Sequence, residues 1–241
     1  MIVTCQTCAQ PLELPDVPAY PGNWGVILRR ALLGIAEHTR HEQCAELCVR
    51  RYRDAKAEAV LVARMQSVET LIPPLYQDTD ESRLTQPWHK RAFAWEFGAR
   101  GLVLYGDTNT GKTRVAFAIL KREHLKGRNC GAYTHSEFVR EATRAATDSR
   151  SGPLWIETVC NLDLLLVDDF GKVRLTTAGG DTSAATGIMF DVIDSRCKNL
   201  RPSIITTNIT GDVIEKQWGD HGAAMARRMR EFNETIHFKA I

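Results

Sequence analysis

The stretch GLVLYGDTNTGKTRVAFAIL, residues 101–120, decides the fold of this chain. Its first five residues form a short, apolar, turn-bounded run, which is the pattern of a buried parallel strand. Residues 106–113, GDTNTGKT, then satisfy the phosphate-loop motif G-x-x-x-x-G-K-[ST] at every fixed position. From Thr113 onward, apolar side chains recur at helical spacing. A strand, a glycine loop and a helix in this order predict a phosphate-binding loop.

The residue types of this loop indicate how it would hold a phosphate. Gly106 and Gly111 allow backbone conformations that place several N–H groups around an anion, at the positive end of the following helix. Lys112 supplies a charge for the β- and γ-phosphates, and the Thr113 hydroxyl can ligate Mg²⁺. Asn109 stands where many such loops have glycine, and asparagine tolerates left-handed geometry. The expected nucleotide-binding residues are Gly106, Asp107, Thr108, Asn109, Thr110, Gly111, Lys112, Thr113 and Arg114.

Length and charge set the bounds for the rest of the chain. The 241 residues allow one α/β domain plus a small appendage. A net charge of +2 gives no field over the whole protein that would attract nucleic acid, so any basic surface must be local. No apolar run approaches membrane-spanning length, and the N-terminal MIVTCQTCAQ lacks a signal-peptide core. We therefore expect a cytoplasmic protein without a membrane partner.

The cysteines near the N-terminus predict a structural zinc site. Cys5 and Cys8 form a C-x₂-C turn, and His41, Cys44 and Cys48 share one face of a predicted helix. Two thiolates on a turn and two ligands from a helix can close a tetrahedral zinc site. The favoured set is Cys5, Cys8, Cys44 and Cys48, with His41 as the substitute for either helical cysteine. Under the alternative, the helical cysteines are small core residues and the other two are reduced thiols.

The remaining pattern alternates between helices and strands. Helical segments are expected over residues 50–64, 88–97, 113–125, 137–146 and 190–196, and strands over 130–134, 162–167 and 202–207. Residues 72–76, IPPLY, break the first helix. The domains expected from this pattern are a zinc- and partner-binding module over residues 1–65, a linker and entry helix over 66–92, and an ATPase domain over 93–241.

Two carboxylates follow the third predicted strand. Asp168 and Asp169 are expected at the carboxyl end of that strand, which is where a phosphate loop needs its partner motif. Asp168 would hold Mg²⁺, and Asp169 would polarise the attacking water. Because aspartate is one methylene shorter than the glutamate of many such ATPases, we expect slow basal turnover. The alternative is that the two residues cap the helix that follows.

Two further segments carry candidate contacts. Residues 171–187 are rich in glycine, threonine and serine, which is typical of a mobile loop. Its Lys172, Arg174 and Thr176 are candidates for contact with the phosphates of single-stranded DNA. Asn208 ends the fourth strand and can bond the γ-phosphate or orient the water, although it could instead serve as a turn residue.

The order of five segments resembles a known family. GLVLYGDTNTGKTRVA, LDLLLVDDFGK, FDVIDSR, RPSIITTN and MARRMRE follow one another as in AAA+ ATPases of the DnaC/IstB-like branch. That branch comprises replicative helicase loaders and transposition helper ATPases, and the resemblance covers roughly residues 70–238. It implies an α/β fold, with a P-loop AAA+ parallel-sheet ATPase domain preceded by a small cysteine-rich zinc-binding domain.

The resemblance also assigns roles to residues outside the loop. It makes Asn208 the sensor and places Arg228 at the arginine-finger position, with Arg227 as an adjacent alternative. A finger acts on the nucleotide of a neighbouring subunit, so a homo-oligomer is expected in the ATP state. The alternative is that both arginines lie on a solvated helix face. The expected catalytic set is Lys112, Asp168, Asp169, Asn208 and Arg228. Residues 235–241 indicate no helical lid domain. Without a lid, we expect the affinity for nucleotide to be lower.

These expectations converge on a Mg²⁺-dependent ATPase in DNA replication, stimulated by DNA or a partner. Its expected client is a replicative helicase, with ATP, Mg²⁺ and structural Zn²⁺ as cofactors. One rival is an IstB-like transposition helper acting on duplex DNA. Another is a nucleotide-dependent adaptor that does not hydrolyse ATP.

Overall fold

The structure is a computed structural model that describes residues 2–4, 11–13, 42–171 and 183–240. The chain divides into two units, Met1–Ser67 and Val68–Ile241. In the first unit, β1 (Ile2–Thr4) and β2 (Pro11–Glu13) pair antiparallel. Helix α1 (Glu42–Leu71) includes the predicted helix 50–64 and runs past the boundary between the units. It ends before two consecutive prolines, which lack the amide that a helix needs.

The second unit is built on a parallel sheet of five strands: β3 (Gly101–Gly106), β4 (Cys130–Thr134), β5 (Leu164–Phe170), β6 (Ser203–Thr207) and β7 (Asn233–Phe238). Their order across the sheet is β4-β5-β6-β3-β7. Its helices are α2 (Pro74–Gln77), α3 (Pro87–Phe93), α4 (Lys112–Leu125), α5 (His135–Thr147), α6 (Gly152–Asn161), α7 (Ser183–Lys198) and α8 (Gly211–Phe232), with a 3₁₀ turn at Glu81–Arg83.

Alternating strand residues bury side chains on both faces of the sheet. Leu102 and Leu104 of β3 pack on the face that α3 and α4 cover. Val103, between them, packs on the opposite face with residues of α5, α6, α7 and α8. Since successive side chains of a strand point to opposite faces, a sheet buried on both sides needs a continuous apolar run. This explains the uninterrupted GLVLY of the sequence.

The predicted strands at 101–105, 130–134 and 202–207 are confirmed. The strand predicted between the last two of these begins and ends later than expected. It was expected over 162–167, whereas β5 continues to Phe170 and therefore contains Asp168 and Asp169. The sequence pattern did not predict β7, whose residues pair with β3 in the register Gly101↔Asn233 to Gly106↔Phe238. Its polar residues, NETIHF, hide the strand pattern, because only Asn233, Ile236 and Phe238 are buried.

Helix α8 turns back on itself at Gly219. This glycine has φ 57° and ψ −137°, which no helical residue adopts. In a straight helix Glu215 and Arg230 would lie about 22 Å apart. Their side chains are 3.4 Å apart, so the two halves of α8 form a hairpin.

Within the described residues, no helix is long and apolar enough to cross a membrane. The same part of the chain contains no group of three or more His, Cys, Asp or Glu side chains suited to hold a metal ion. Cys130, Cys160 and Cys197 form no disulfide bond. The predicted zinc ligands Cys5, Cys8 and His41 lie outside the described residues, as do the side chains of Cys44 and Cys48.

Candidate nucleotide-binding site

The predicted phosphate loop connects β3 to α4 through three residues with left-handed backbone. Gly106, Asn109 and Gly111 have φ of 129°, 61° and 88°. At Gly106 a side chain is also excluded by space, since a Cβ there would lie 2.0 Å from the carbonyl oxygen of Phe238. Gly111 is the N-cap of α4, so the loop ends at the positive end of a helix. The loop thus has the turn that its glycines and Asn109 predicted.

The Lys112 ammonium lies folded over the loop. Its Nζ donates to the carbonyl oxygens of Gly106 and Asp107 at 3.0 and 2.5 Å. Burial lowers the pKa of Lys112, while the nearby carboxylates of Asp169, Asp107 and Asp168 oppose that shift. These carboxylates favour the charged ammonium, which is the form that an oxyanion would attract.

Two oxygen donors meet where the loop faces β5. The Thr113 hydroxyl donates to Asp168 Oδ1 at 2.9 Å. Burial raises the pKa of Asp168, and hydrogen bonds from Thr206 and Thr113 oppose this rise. Hydroxyl and carboxylate oxygens are the ligands that Mg²⁺ prefers. The donor set therefore fits the predicted magnesium site at Thr113 and Asp168.

Thr206 forms hydrogen bonds with both aspartates, and the sequence pattern did not predict this role. Its Oγ1 donates to Asp168 Oδ1 at 2.5 Å and accepts the Asp169 N–H at 2.9 Å. The backbone of Asp169 is left-handed, with φ 56°, and the β5–β6 register shifts between Val167 and Phe170. A non-glycine residue held in this region stores strain, which structures retain mainly at functional sites. The Thr-Thr-Asn end of β6 was the available signal for Thr206.

Two distant segments also contact the loop. The N–H of Asp107 donates to the Phe238 carbonyl at 3.1 Å, and the Asp107 carboxylate accepts the Ala240 N–H at 2.9 Å. On the other side, His89 Nε2 lies 2.8 Å from the Thr110 carbonyl oxygen. Neither contact has a signal in the local sequence, since His89 lies in α3, outside every motif.

A cleft of about 650 Å³ opens beside the phosphate loop. Trp88, Leu84 and Arg83 line one side of it, and the loop residues 108–111 line another. Arg114 also lines the cleft, and it donates to the Leu75 carbonyl at 3.3 Å. The cleft thus continues the phosphate loop toward the segment before α3.

The remaining predicted residues lie in different places. Asn208 is exposed directly after β6, beside the strand that leads into the loop. Arg228 lies on α8 and donates from Nε to Asp194 Oδ1 of α7 at 2.7 Å, while Arg227 beside it is exposed. The predicted DNA contacts Lys172, Arg174 and Thr176 lie outside the described residues.

Comparison with known proteins gives a family match over most of the chain. The family model described as IstB-like ATP binding protein matches residues 34–236. Among curated proteins, the chain is 23% identical over 123 residues to "Uncharacterized protein YdaV" of Escherichia coli (strain K12). That alignment covers 51% of this chain and 47% of YdaV, so the chain spans about half the length of the curated relative it matches.

Solved structures share the fold at low identity. The chain is similar to the DnaC helicase loader, with a TM-score of 0.52 and 21% identity over 71% of this chain and 96% of that one. It is also similar to the replication initiator DnaA bound to AMPPCP and single-stranded DNA, with a TM-score of 0.51 and 14% identity. That alignment covers 72% of this chain and 50% of DnaA.

Proposed function

Since the chain belongs to the family of IstB-like ATP-binding proteins, we propose that it hydrolyses ATP at the edge of the sheet where β3 and β5 end. The observation that carries this proposal is the 2.9 Å contact between Thr113 Oγ1 and Asp168 Oδ1. It joins the phosphate loop to a strand-end carboxylate that lies 55 residues further along the chain. Lys112 would neutralise the β- and γ-phosphates, as the ammonium of such a loop does.

Thr113 and Asp168 would hold Mg²⁺, which when bound would supply positive charge to stabilise the developing charge on the phosphates. Asp169 would polarise the attacking water, since it follows Asp168 at the same edge and its backbone is fixed by Thr206. Asn208 would orient that water from the neighbouring strand. The cleft lined by Trp88 and Leu84 would receive the base and ribose, because it continues the phosphate loop.

ATP hydrolysis by purified protein tests this proposal directly. We expect turnover by the wild-type chain, and loss of at least about tenfold in Lys112→Ala and Asp169→Asn, since groups that touch the transferring phosphate act in the transition state. Lys216→Ala and Asp212→Asn remove exposed charges of the same kinds on α8 and should retain the wild-type rate. Equal rates in all five proteins would end the enzyme proposal and favour a nucleotide-dependent adaptor.

We propose a replicative helicase as the client. The order of the ATPase segments and the fold likeness to the DnaC helicase loader support this proposal. The rival, a transposition helper on duplex DNA, is favoured by the IstB-like description of the family. Electron microscopy separates them, because a complex with a helicase ring supports loading and ATP-dependent filaments on duplex DNA support the rival.

Oligomerisation in the ATP state would bring Arg228 or Arg227 to a neighbouring nucleotide. The ion pair with Asp194 orients the Arg228 side chain, whereas Arg227 is exposed. We expect ATPase activity per chain to rise with protein concentration, because a finger supplied in trans needs a neighbour. If Arg228 is the finger, Arg228→Ala would abolish that rise. If Arg227 is the finger, Arg227→Ala would abolish it instead.

The N-terminal ligand set Cys5, Cys8, Cys44 and Cys48 is proposed to bind structural zinc and to support client binding. Zinc binding by these residues should give one equivalent per chain after metal-replete expression. Less than about half an equivalent of zinc per chain would contradict this proposal.

Single-stranded DNA is proposed to contact Lys172 and Arg174, and alanine at both positions should weaken strand binding and its salt dependence.

A further inference from the structure

The imidazole of His89 connects helix α3 to the phosphate loop through both ring nitrogens. Its Nε2 lies 2.8 Å from the carbonyl oxygen of Thr110, and its Nδ1 lies 3.3 Å from the backbone nitrogen of Gln86. The Gln86 N–H can only donate, so Nδ1 must be the acceptor. Nε2 therefore carries the proton and donates it to Thr110. Both contacts are satisfied by one neutral tautomer, the Nε2–H form.

Packing holds the ring in this position. His89 is buried, and its ring lies 5.4 Å from that of Phe238 at the end of β7. On the loop side, a Cβ added to Gly111 would lie 3.1 Å from His89 Nε2 and 3.2 Å from Leu84 Cδ2. The absence of a side chain at Gly111 thus lets the imidazole approach the loop backbone closely.

The contact fixes the orientation of one peptide group. In a trans peptide the carbonyl of Thr110 and the N–H of Gly111 point in opposite directions. With the carbonyl bound to His89, the Gly111 N–H points away from α3. Gly111 has φ 88° and can adopt many backbone conformations, so nothing in its own chemistry prevents this peptide from flipping. A flip would replace a phosphate-binding donor with a carbonyl oxygen.

We infer that His89 is a positioning residue for nucleotide binding, which acts by holding the Thr110–Gly111 peptide with its N–H available to the phosphates. This inference rests on the proposed function, because it assigns the orientation of a loop that is proposed to bind ATP. It adds a residue outside the phosphate-loop motif. The contact with Gln86 is local, since Gln86 is the N-cap of α3 and His89, at position N3, forms a capping box with it.

Two substitutions separate hydrogen bonding from packing. His89→Phe keeps an aromatic ring against Phe238 but loses both hydrogen bonds. His89→Gln keeps one donor and one acceptor, so its amide can bond Thr110 and Gln86. For His89→Phe we expect MgATP to bind about tenfold more weakly, which corresponds to about 1.4 kcal/mol. The kcat should change less than about threefold, because the catalytic groups stay in place, and His89→Gln should bind MgATP within about twofold of wild type.

Hydrogen exchange in the nucleotide-free protein gives a second readout. Amides of residues 107–112 should exchange about tenfold faster in His89→Phe and at the wild-type rate in His89→Gln, since only the former releases the loop. Thermal unfolding of both variants checks that the fold is retained. In the wild-type protein, nitrogen NMR should show the Nε2–H tautomer of His89 at pH 7.5.

The inference is overturned if His89→Phe binds MgATP and exchanges its loop amides as the wild-type protein does. It is also overturned if His89→Gln is as impaired as His89→Phe, or if NMR shows the Nδ1–H tautomer. A wild-type protein without MgATP affinity would defeat the proposed function alone. Loop exchange and the tautomer would still decide the role of His89, because neither measurement needs nucleotide. If His89→Phe does not fold, His89→Gln and the tautomer carry the test.

Discussion

Acid should destabilise this protein through one buried histidine, His135. The side chain has no exposed surface, and its ring stacks on Trp218 at 5.5 Å and meets Phe170 edge-on at 5.1 Å. Neither ring nitrogen has a hydrogen-bond partner among the residues that the structure describes. Burial among these rings lowers the pKa of His135 to about 4, since it removes the water that would solvate a protonated imidazole.

The sign and size of the effect follow from proton linkage. An unfolded histidine takes up a proton near pH 6.5, whereas folded His135 resists protonation down to about pH 4. Between these values the unfolded chain binds more protons, so the free energy of unfolding falls as pH is lowered. The loss from His135 alone is about 2 kcal/mol between pH 7.5 and pH 5, and roughly 3 kcal/mol at pH 4.

Urea unfolding at a series of pH values isolates this contribution when wild type is compared with His135→Phe. Phenylalanine keeps the aromatic packing and removes the titration, so the variant should gain about 2 kcal/mol relative to wild type between pH 7.5 and pH 5. His221→Gln removes an exposed histidine and should follow wild type. The reasoning is refuted if His135→Phe and wild type keep a constant difference, or if NMR titrates folded His135 near pH 6.5.

Three further substitutions test contacts around the sheet. Thr206→Val removes the hydrogen bond to Asp168, and we expect kcat for ATP hydrolysis to fall about tenfold with little change in nucleotide affinity, since a hydrogen bond to a charged group contributes about 1.5–3 kcal/mol. Arg196→Met leaves four backbone carbonyls, three of them buried, without the guanidinium that donates to them, and should lower the free energy of unfolding in urea by about 3 kcal/mol or more. Asp194→Asn weakens the ion pair that orients Arg228, so concentration-dependent ATPase activity should fall about fivefold while MgATP binding is unchanged.

Two matched variants control the first two of these measurements. Thr143→Val lies on the exposed surface of α5 and should keep the wild-type kcat, and Arg227→Met removes an exposed guanidinium without loss of stability. Unchanged turnover in Thr206→Val would mean that Thr206 does not orient the aspartates. Loss below about 1 kcal/mol in Arg196→Met would contradict its role as a buried donor. Weaker MgATP binding in Asp194→Asn would show an effect on the fold rather than on Arg228.

The local sequence determined the elements whose residues are contiguous. The phosphate loop was predictable because its glycines, Asn109, Lys112 and Thr113 lie within eight positions and act through their own backbone. Asp168 and Asp169 were predictable because parallel strands bring their carboxyl ends to one edge of the sheet. The buried strands were predictable from apolar runs, with the exception of β7.

Only the tertiary structure decided what holds that loop in place. The Asp107 carboxylate accepts a hydrogen bond from Ala240, 133 residues away, because β7 lies beside β3 in the sheet. Local spacing encodes no strand order, and the polar residues of β7 gave no strand signal. His89 contacts Thr110 for the same reason, since α3 packs against the sheet edge that β7 completes. The chemistry of the loop follows from its own residues, whereas its rigidity depends on contacts that exist only once the sheet has formed.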